Sequence, residues 1–294
     1  MSEAAAPPAR EVTAPVAPAS TRRHWIRRYG LAIAGSLILA AWLVVAVAAD
    51  RLAPHDPTFV DVTRRLLPPG PGHWLGTDAL GRDVLSRLLV GSQVSLLAGF
   101  SVAVAAALFG SLVGAVAGYL GRWVEEALMR LTDLVLCFPP IILAMAIAAA
   151  LGIGVVNTLV AMLVVWWPKY ARLSRSVILV QRSQEYVEAA QVVGLSPPRI
   201  LFRHVVPNAI GPVIVLLSLD IGNAILTFAG LSFLGLGVVP PHPEWGAMIA
   251  EGRELLSQWW IASFPGLAIL SVVMGANFFG DGVRDWLDPR SGSR

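Results

Sequence analysis

Six apolar runs, set apart by charged or proline-rich segments, give the chain its rhythm: about 31–49, 94–118, 134–151, 155–175, 208–236 and 261–280. A helix needs about twenty mainly apolar residues to cross a bilayer, so each run is a candidate span. Several are longer than a crossing needs, which predicts tilt or kinks. Pro168 in the fourth run and Pro212 in the fifth are the expected kink sites. Lys169, Arg172 and Arg175 crowd the last turns of the fourth run, so those turns are expected to emerge at the membrane interface. The pattern reads as an all-α membrane protein with six transmembrane helices.

Two polar segments carry helical patterns of their own. After the fourth run, Glu185 to Val193 are mostly helix formers, and Gly194 suits the left-handed position past a helix end. Ser196-Pro197-Pro198 then starts a second helix. After the first run, Gly76 permits a tight turn and Thr77 or Asp78 can cap a helix. Leu80, Val84, Leu85, Leu88 and Leu89 would share one face of it. This predicts an amphipathic helix on the membrane surface, leading into the second span.

Composition agrees with a lipid solvent. The 294 residues are 56% hydrophobic and 14% charged, with mean hydropathy +0.68, where globular chains carry about a quarter charged residues. The net charge of +3 does not point to nucleic acid. With the N-terminus in the cytoplasm, only Arg51, Arg64, Arg65, Arg82, Arg87 and Arg253 of the 22 basic residues fall outside. Cytoplasmic loops carry the excess of Lys and Arg, so both termini are expected to be cytoplasmic. Residues 1–24 read as a disordered tail. They do not read as a signal peptide, because the apolar run begins only at Leu31 and is about nineteen residues long. Trp25, Trp42, Trp74, Trp123, Trp245, Trp259 and Trp260 mostly fall near expected interfaces. Cys137, the single cysteine, reads as a small packing residue, and one Cys with five His gives no metal-site spacing.

Inside the spans, Gly110, Gly114 and Gly118 recur every four residues. Such a ridge lets helix backbones approach closely; it predicts packing within the bundle, with lining of a path or gate as the alternative. Asp220 is the carboxylate placed inside a span, at a cost of about 3 kcal/mol. It must face the bundle interior or water. It could line a path or pair with a partner subunit, or it could be wetted near the span end or paired with a nearby arginine. Asn223 shares its helix face.

The run Glu188-Ala189-Ala190, then Gly194, then Arg203-His204 and Pro207, resembles the EAA loop of ABC-importer permeases. In that family the loop is a coupling helix that fits a groove in the ATPase subunit. The run from His73 through Gly76-Thr77-Asp78, Gly81-Arg82-Asp83 and Ser86-Arg87 resembles an outer segment of the C-type permease subunit of dipeptide and oligopeptide importers. Gly121 to Asp133, ending at Phe138-Pro139-Pro140, and Ala229 to Gly237 with Pro240-Pro241 and Glu244-Trp245-Gly246, resemble further parts of the same subunit. The resemblance covers about Trp25 to Arg290. One place departs: the family often has an acidic residue before the Ala229 run, where this chain has Phe228.

The resemblance implies the type I ABC importer permease fold. Residues 25–93 would form the first span and external loop. Residues 94–281 would form a five-helix core containing the cytoplasmic coupling loop 176–207, and 282–294 a cytoplasmic tail. It implies docking on ATPase subunits through Glu188, Ala189, Ala190, Gly194, Arg203, His204 and Pro207. Asp220, Asn223 and Phe228 become candidates for the translocation path or for contact between subunits. Thr77, Asp78, Arg82 and Asp83 become candidates for contact with an external delivery protein or for closure of an outer gate, an interfacial anchor being the alternative. The implied partners are a B-type permease subunit, two ATPase domains in one or two chains, and an extracellular solute-binding protein. The implied cargo is di- or oligopeptide, with nickel chelates or another small solute as the alternative. The implied location is a bacterial inner membrane. The chain has no Walker A loop, so it is expected not to be an enzyme, with no cofactor or metal of its own; ATP and Mg would sit in the partner subunits. A secondary transporter using Asp220 is the other class considered. An intramembrane enzyme is a third, but Ser232 has no suitable His at span depth.

Overall fold

A computed structural model of the chain describes residues 21–287. By its internal contacts the chain divides into Met1–Gly30 and Leu31–Arg294, and the account below concerns the second unit. The expected tails fall largely outside the described residues, at 1–20 and 288–294. Residues 21–24 already belong to the first helix and 282–287 to the last.

Among the described residues the fold is helical, with no strand and two isolated bridges. The long helices are α1 (Thr21–Leu52), α2 (Val84–Leu120), α3 (Arg122–Leu136), α4 (Pro140–Leu151) and α5 (Val155–Arg182). Two short helices follow, α6 (Glu185–Val192) and α7 (Pro197–Ile200). A π turn (Leu201–Val205) joins α7 to α8 (Val206–Phe233), and α9 (Trp245–Gly252) and α10 (Trp260–Leu287) complete the chain.

Four stretches of helix are long and apolar enough to cross a membrane: Gly30–Leu52, Val84–Leu120, Pro197–Phe233 and Trp260–Leu287. A fifth is counted if the pair α3 and α4, bent by 90°, is taken as one. α5 falls short on composition, since Trp166, Trp167, Pro168, Lys169 and Arg172 dilute its apolar run. All six expected runs are nonetheless helical, apart from the break at 137–139 and the end of the fifth run past Phe233. That break corrects the reading of 134–151 as one straight span. Pro139 and Pro140 cause it: proline lacks the N–H a helix needs and pushes the preceding residue out of helical conformation. Cys137 caps α3 at this break and is exposed, so it is not the packing residue the sequence suggested.

Parallel packing of α2 and α5 forms the spine. A Cβ on Gly110 would lie 2.2 Å from Trp167 O, one on Gly114 2.2 Å from Ala171 O, and one on Gly118 3.0 Å from Arg175 O. The ridge therefore packs within the bundle, glycine against backbone carbonyl, at matched four-residue steps. Gly110→Ala forces two backbones apart, an overpacking change that costs about 1–3 kcal/mol. The purified chain is expected to melt several degrees lower; an unchanged midpoint would contradict this contact. α10 runs antiparallel to α8, with Gly222 facing Ala276 and Gly280 facing Leu219. It is antiparallel to α1 as well, with Gly35 against Gly275 and Trp42 Nε1 donating to Ser271 Oγ at 2.8 Å.

Not every tryptophan marks an interface. Trp245 and Trp260 are buried, and Trp42 packs edge-on against Trp245 at 4.9 Å. Trp74, Trp123 and Trp259 are exposed. α5, α8 and α10 each continue through an internal proline, Pro168, Pro212 and Pro265.

Candidate functional sites at the two ends and the middle of the bundle

Where α2 and α5 end, the chain projects α6 and α7. The sequence dictates the joint. Gly194 takes φ +82°; its N–H donates to Gln191 O at 2.9 Å and Leu195 N–H donates to Ala190 O at 3.2 Å. This is the Schellman pairing that closes a helix end. Pro197 then begins α7, as expected. Val187, Ala190, Ile200, Leu201 and Val205 form a small buried cluster with Ile178 of α5 and Ala115 of α2, so the projection is rooted in the spine. Its other face is bare: Glu188 and Ala189 are exposed, and Val192 and Val193 are 88% and 78% exposed. Phe202 and Arg203 are exposed as well, while His204 is partly covered. Pro207 has no N–H to give to Arg203 O, and the π turn just before it absorbs the break. Of the residues the sequence singled out here, Ala190 packs inward, and Glu188, Ala189, Gly194 and Arg203 share the open surface.

Nearby ion pairs brace α3 against α5. Arg175 Nε donates to Glu125 Oε1 at 2.6 Å, and Arg172 Nη2 to Asp133 Oδ1 at 2.6 Å. Arg182 Nη1 donates to Tyr119 O at 2.9 Å.

In the middle of the bundle, Asp220 is buried. Lys169 Nζ lies 2.6 Å from its Oδ2, and Tyr170 Oη donates to the same oxygen at 2.7 Å. The ammonium also sits 3.7 Å above the Trp166 ring, an arrangement that favours a cation. The partner of Asp220 is thus the single lysine of the chain; an arginine partner was the sequence-level alternative. Lys169, Asp220, Asn223 and Thr227 line an open hollow of about 410 Å³ together with Leu136, Pro140, Ile141, Val165 and Trp166. Asp220 and Asn223 meet there as their spacing suggests. Phe228 does not join them, being fully buried in the apolar core with Val102, Met162 and Leu231. Tyr170 was missed, and Lys169, expected in the last turns at the membrane interface, lies mid-helix because α5 continues to Arg182; the available signal was a lone lysine flanked by Trp166 and Tyr170 within an apolar run.

At the opposite end, residues 53–83 fold onto the start of α2. The expected amphipathic helix from Leu80 is not separate. Helix begins only at Val84, capped by Asp83, which accepts from Ser86 N at 2.8 Å, and runs unbroken into the span. Thr77 and Asp78 serve the loop instead of capping a helix. Thr77 Oγ1 donates to Arg64 O at 2.6 Å and accepts from Leu67 N at 2.8 Å, while Asp78 accepts from Leu80 N and Arg82 N. Arg82 Nε donates to Asp78 Oδ2 at 2.6 Å, and Arg82 and Arg87 both reach Glu251 at 2.9 Å. Thr77, Asp78, Arg82 and Asp83 are all buried. In this conformation they cannot touch another protein, and Arg82 ties the 53–83 segment to α9.

Glu244, also buried, was missed as well. It caps α9, accepting from Gly246 N and Ala247 N at 2.9 Å each, and takes a third hydrogen bond from Ser95 Oγ of α2 at 3.0 Å. Burial pushes its carboxyl above the usual carboxylate range, with the two backbone N–H groups pulling the other way. Glutamate is not among the residues preferred directly before a helix, which is why this cap escaped the sequence.

The fold also brings His55 and His73 against Asp83, with one ligand atom from each lying within 4.8 Å of the others. Spacing along the chain gave no metal site; folding creates a candidate.

Residues 110–293 match the family model described as binding-protein-dependent transport system inner membrane component. A probable D,D-dipeptide transport system permease protein of Escherichia coli is 46% identical over 90% of this chain and 89% of its own length. A dipeptide transport system permease protein of Alkalihalophilus pseudofirmus is 40% identical over 97% and 93%. A glutathione transport system permease protein of Pectobacterium atrosepticum is 40% identical over 92% and 91%.

Proposed function

The chain belongs to the binding-protein-dependent transport system inner membrane component family, and on that basis we propose that it is one permease subunit of an ATP-driven importer of di- and oligopeptides. It is a multi-pass membrane protein with the type I ABC permease fold. The observation that carries the proposal is the projection made by α6 and α7, rooted in α2 and α5 yet bare on its outer face. Exposed apolar residues on a braced support suit docking on a partner. That partner is a pair of ATPase domains, which hold ATP and Mg.

ATP binding closes the ATPase pair and carries the docked projections with it, so that the spans swing between states open to opposite sides. Such coupling needs a ligand that prefers one state. Peptide crosses between this subunit and a B-type partner subunit after delivery by an extracellular solute-binding protein. The hollow holding Lys169 and Asp220 supports a place on that path, since it offers charges of both signs to a zwitterionic cargo. The relatives' names, which specify dipeptides and glutathione, support peptide as cargo. Both termini are cytoplasmic and the 53–83 segment is external, in a bacterial inner membrane.

The decisive experiment is purification of a tagged copy from its native membrane, followed by ATPase assay with and without peptides and the binding protein. Co-purification of a second permease and an ATPase, with peptide-stimulated turnover, is the expected result. A chain recovered alone would overturn the proposal. Topology has its own check: a reporter fused after Arg294 is expected in the cytoplasm, and one inserted near Pro71 outside. Both on one side would refute the orientation.

A further inference from the structure

The outer segment contains a cluster that the transport reading does not use. We propose that His55, His73 and Asp83 bind a divalent transition-metal cation, zinc being the ion the donor set suits best, and that this cation clips the 53–83 segment to the start of α2.

Geometry supports the proposal first. His73 Nδ1 lies 2.9 Å from Asp83 Oδ1, and His55 Nδ1 lies 3.7 Å from Asp83 Oδ2. Tetrahedral zinc with bonds of about 2.0–2.1 Å separates its ligand atoms by about 3.3 Å, between these two distances. The imidazole rings stand 4.9 Å apart, so small rotations of the rings bring both nitrogens onto one centre. Two imidazoles and a carboxylate leave a fourth position for water, the pattern of an open zinc site.

The cluster is also preformed. Ser86 Oγ donates to Asp83 Oδ2 at 2.7 Å and accepts from His55 N at 3.0 Å. One hydroxyl therefore fixes the carboxylate and the backbone that carries the first imidazole. Outer contacts of this kind orient metal ligands. Asp83 is held further by Ser86 N, and its side chain is 2% exposed.

The His73 side chain is only 12% exposed, so its imidazole meets Asp83 shielded from bulk water. The space is sufficient: the cluster opens on a hollow of about 60 Å³, enough for an ion and a water. The same hollow is lined by Asp56, Asp61 and Arg64. With Asp83 this makes three carboxylates against one guanidinium, a balance that favours a cation.

The test uses the full chain, untagged and stripped with chelator, in detergent. Cobalt(II) is added and followed by its visible absorption, then displaced by zinc; the melting midpoint is measured with and without zinc. One equivalent of cobalt is expected to give an intense band of low coordination number that zinc abolishes, and zinc is expected to raise the midpoint. His73→Ala and His55→Ala should each weaken cobalt binding by more than about tenfold, the loss that even outer-shell changes can produce. His55 is 43% exposed on a loop, so its variant carries the test even if His73→Ala fails to fold. No cobalt band, or a band of wild-type affinity in His55→Ala, overturns the proposal. Neither outcome bears on transport, which the ATPase assay decides separately.

Discussion

Gly194→Leu is expected to leave the chain inserted and assembled with its partners, yet to abolish the rise in ATP hydrolysis that substrate produces. Gly194 has φ +82° and open space around its Cβ position, so leucine meets no clash. The penalty is backbone alone, about 1–2 kcal/mol for a residue other than glycine or asparagine in the left-handed region. That is enough to unwind the turn whose two hydrogen bonds, Gly194 N to Gln191 O and Leu195 N to Ala190 O, set the angle between α6 and α7. The projection persists but points elsewhere. Gly194→Asn tolerates the same φ and should retain coupling, which separates geometry from mere substitution. Glu188→Arg reverses a charge on the exposed face and should uncouple without disturbing the turn. Measuring ATPase activity of the reconstituted complex with and without binding protein decides it. Wild-type stimulation in both Gly194→Leu and Glu188→Arg would remove α6 from the coupling role.

Lys169→Met carries the next largest expected effect. Asp220 is 5% exposed and pairs with Lys169 and the Tyr170 hydroxyl. Removing one partner of a buried pair costs about 3–5 kcal/mol because the other charge is left uncompensated. Lys169 itself is 34% exposed, so the loss should fall toward the lower end of that range. The double variant Lys169→Met with Asp220→Asn removes both charges and should recover most of the lost stability, a non-additivity expected of contacting residues. Thermal midpoints of the four proteins in one detergent give the cycle. Equal losses that simply add would mean that the two groups do not interact. Transport by the double variant is expected to fall even where stability returns, because the hollow then presents no charge to the cargo.

Helix placement was largely legible in the sequence, because a bilayer imposes length and apolarity one segment at a time. The Gly110, Gly114 and Gly118 ridge was legible for a related reason: its spacing matches one helix face whatever the partner. The turn at Gly194 needed only local chemistry. What escaped depends on residues far apart meeting in space. Arg82 and Glu251 are 169 positions apart, and Tyr170 and Asp220 are 50 apart. Nothing near Arg82 or Arg87 indicates that Glu251 of α9 will come to meet them, so polar residues in a loop read as surface. The break between α3 and α4 was the avoidable miss, since Phe138-Pro139-Pro140 sits inside the expected third span. His55 and His73 differ again: each is unremarkable alone, and only the folding of the 53–83 segment makes them neighbours.

The α2–α5 contact has a mechanical consequence. Glycines set against carbonyl oxygens over two helical turns bring the two backbones together, with the Cβ atoms of Tyr170 and Ser174 and the Ile178 side chain wedged beside them. Sliding by one residue would bring Phe109 and Val113, or Ser111 and Ala115, to the places of Gly110 and Gly114. The two helices therefore form a single stiff beam, and whatever rocking moves cargo must be taken up where α8 leans on that beam. Spin labels placed on α2 and α5 should keep one separation through the whole cycle, while a label on α8 changes its distance to both.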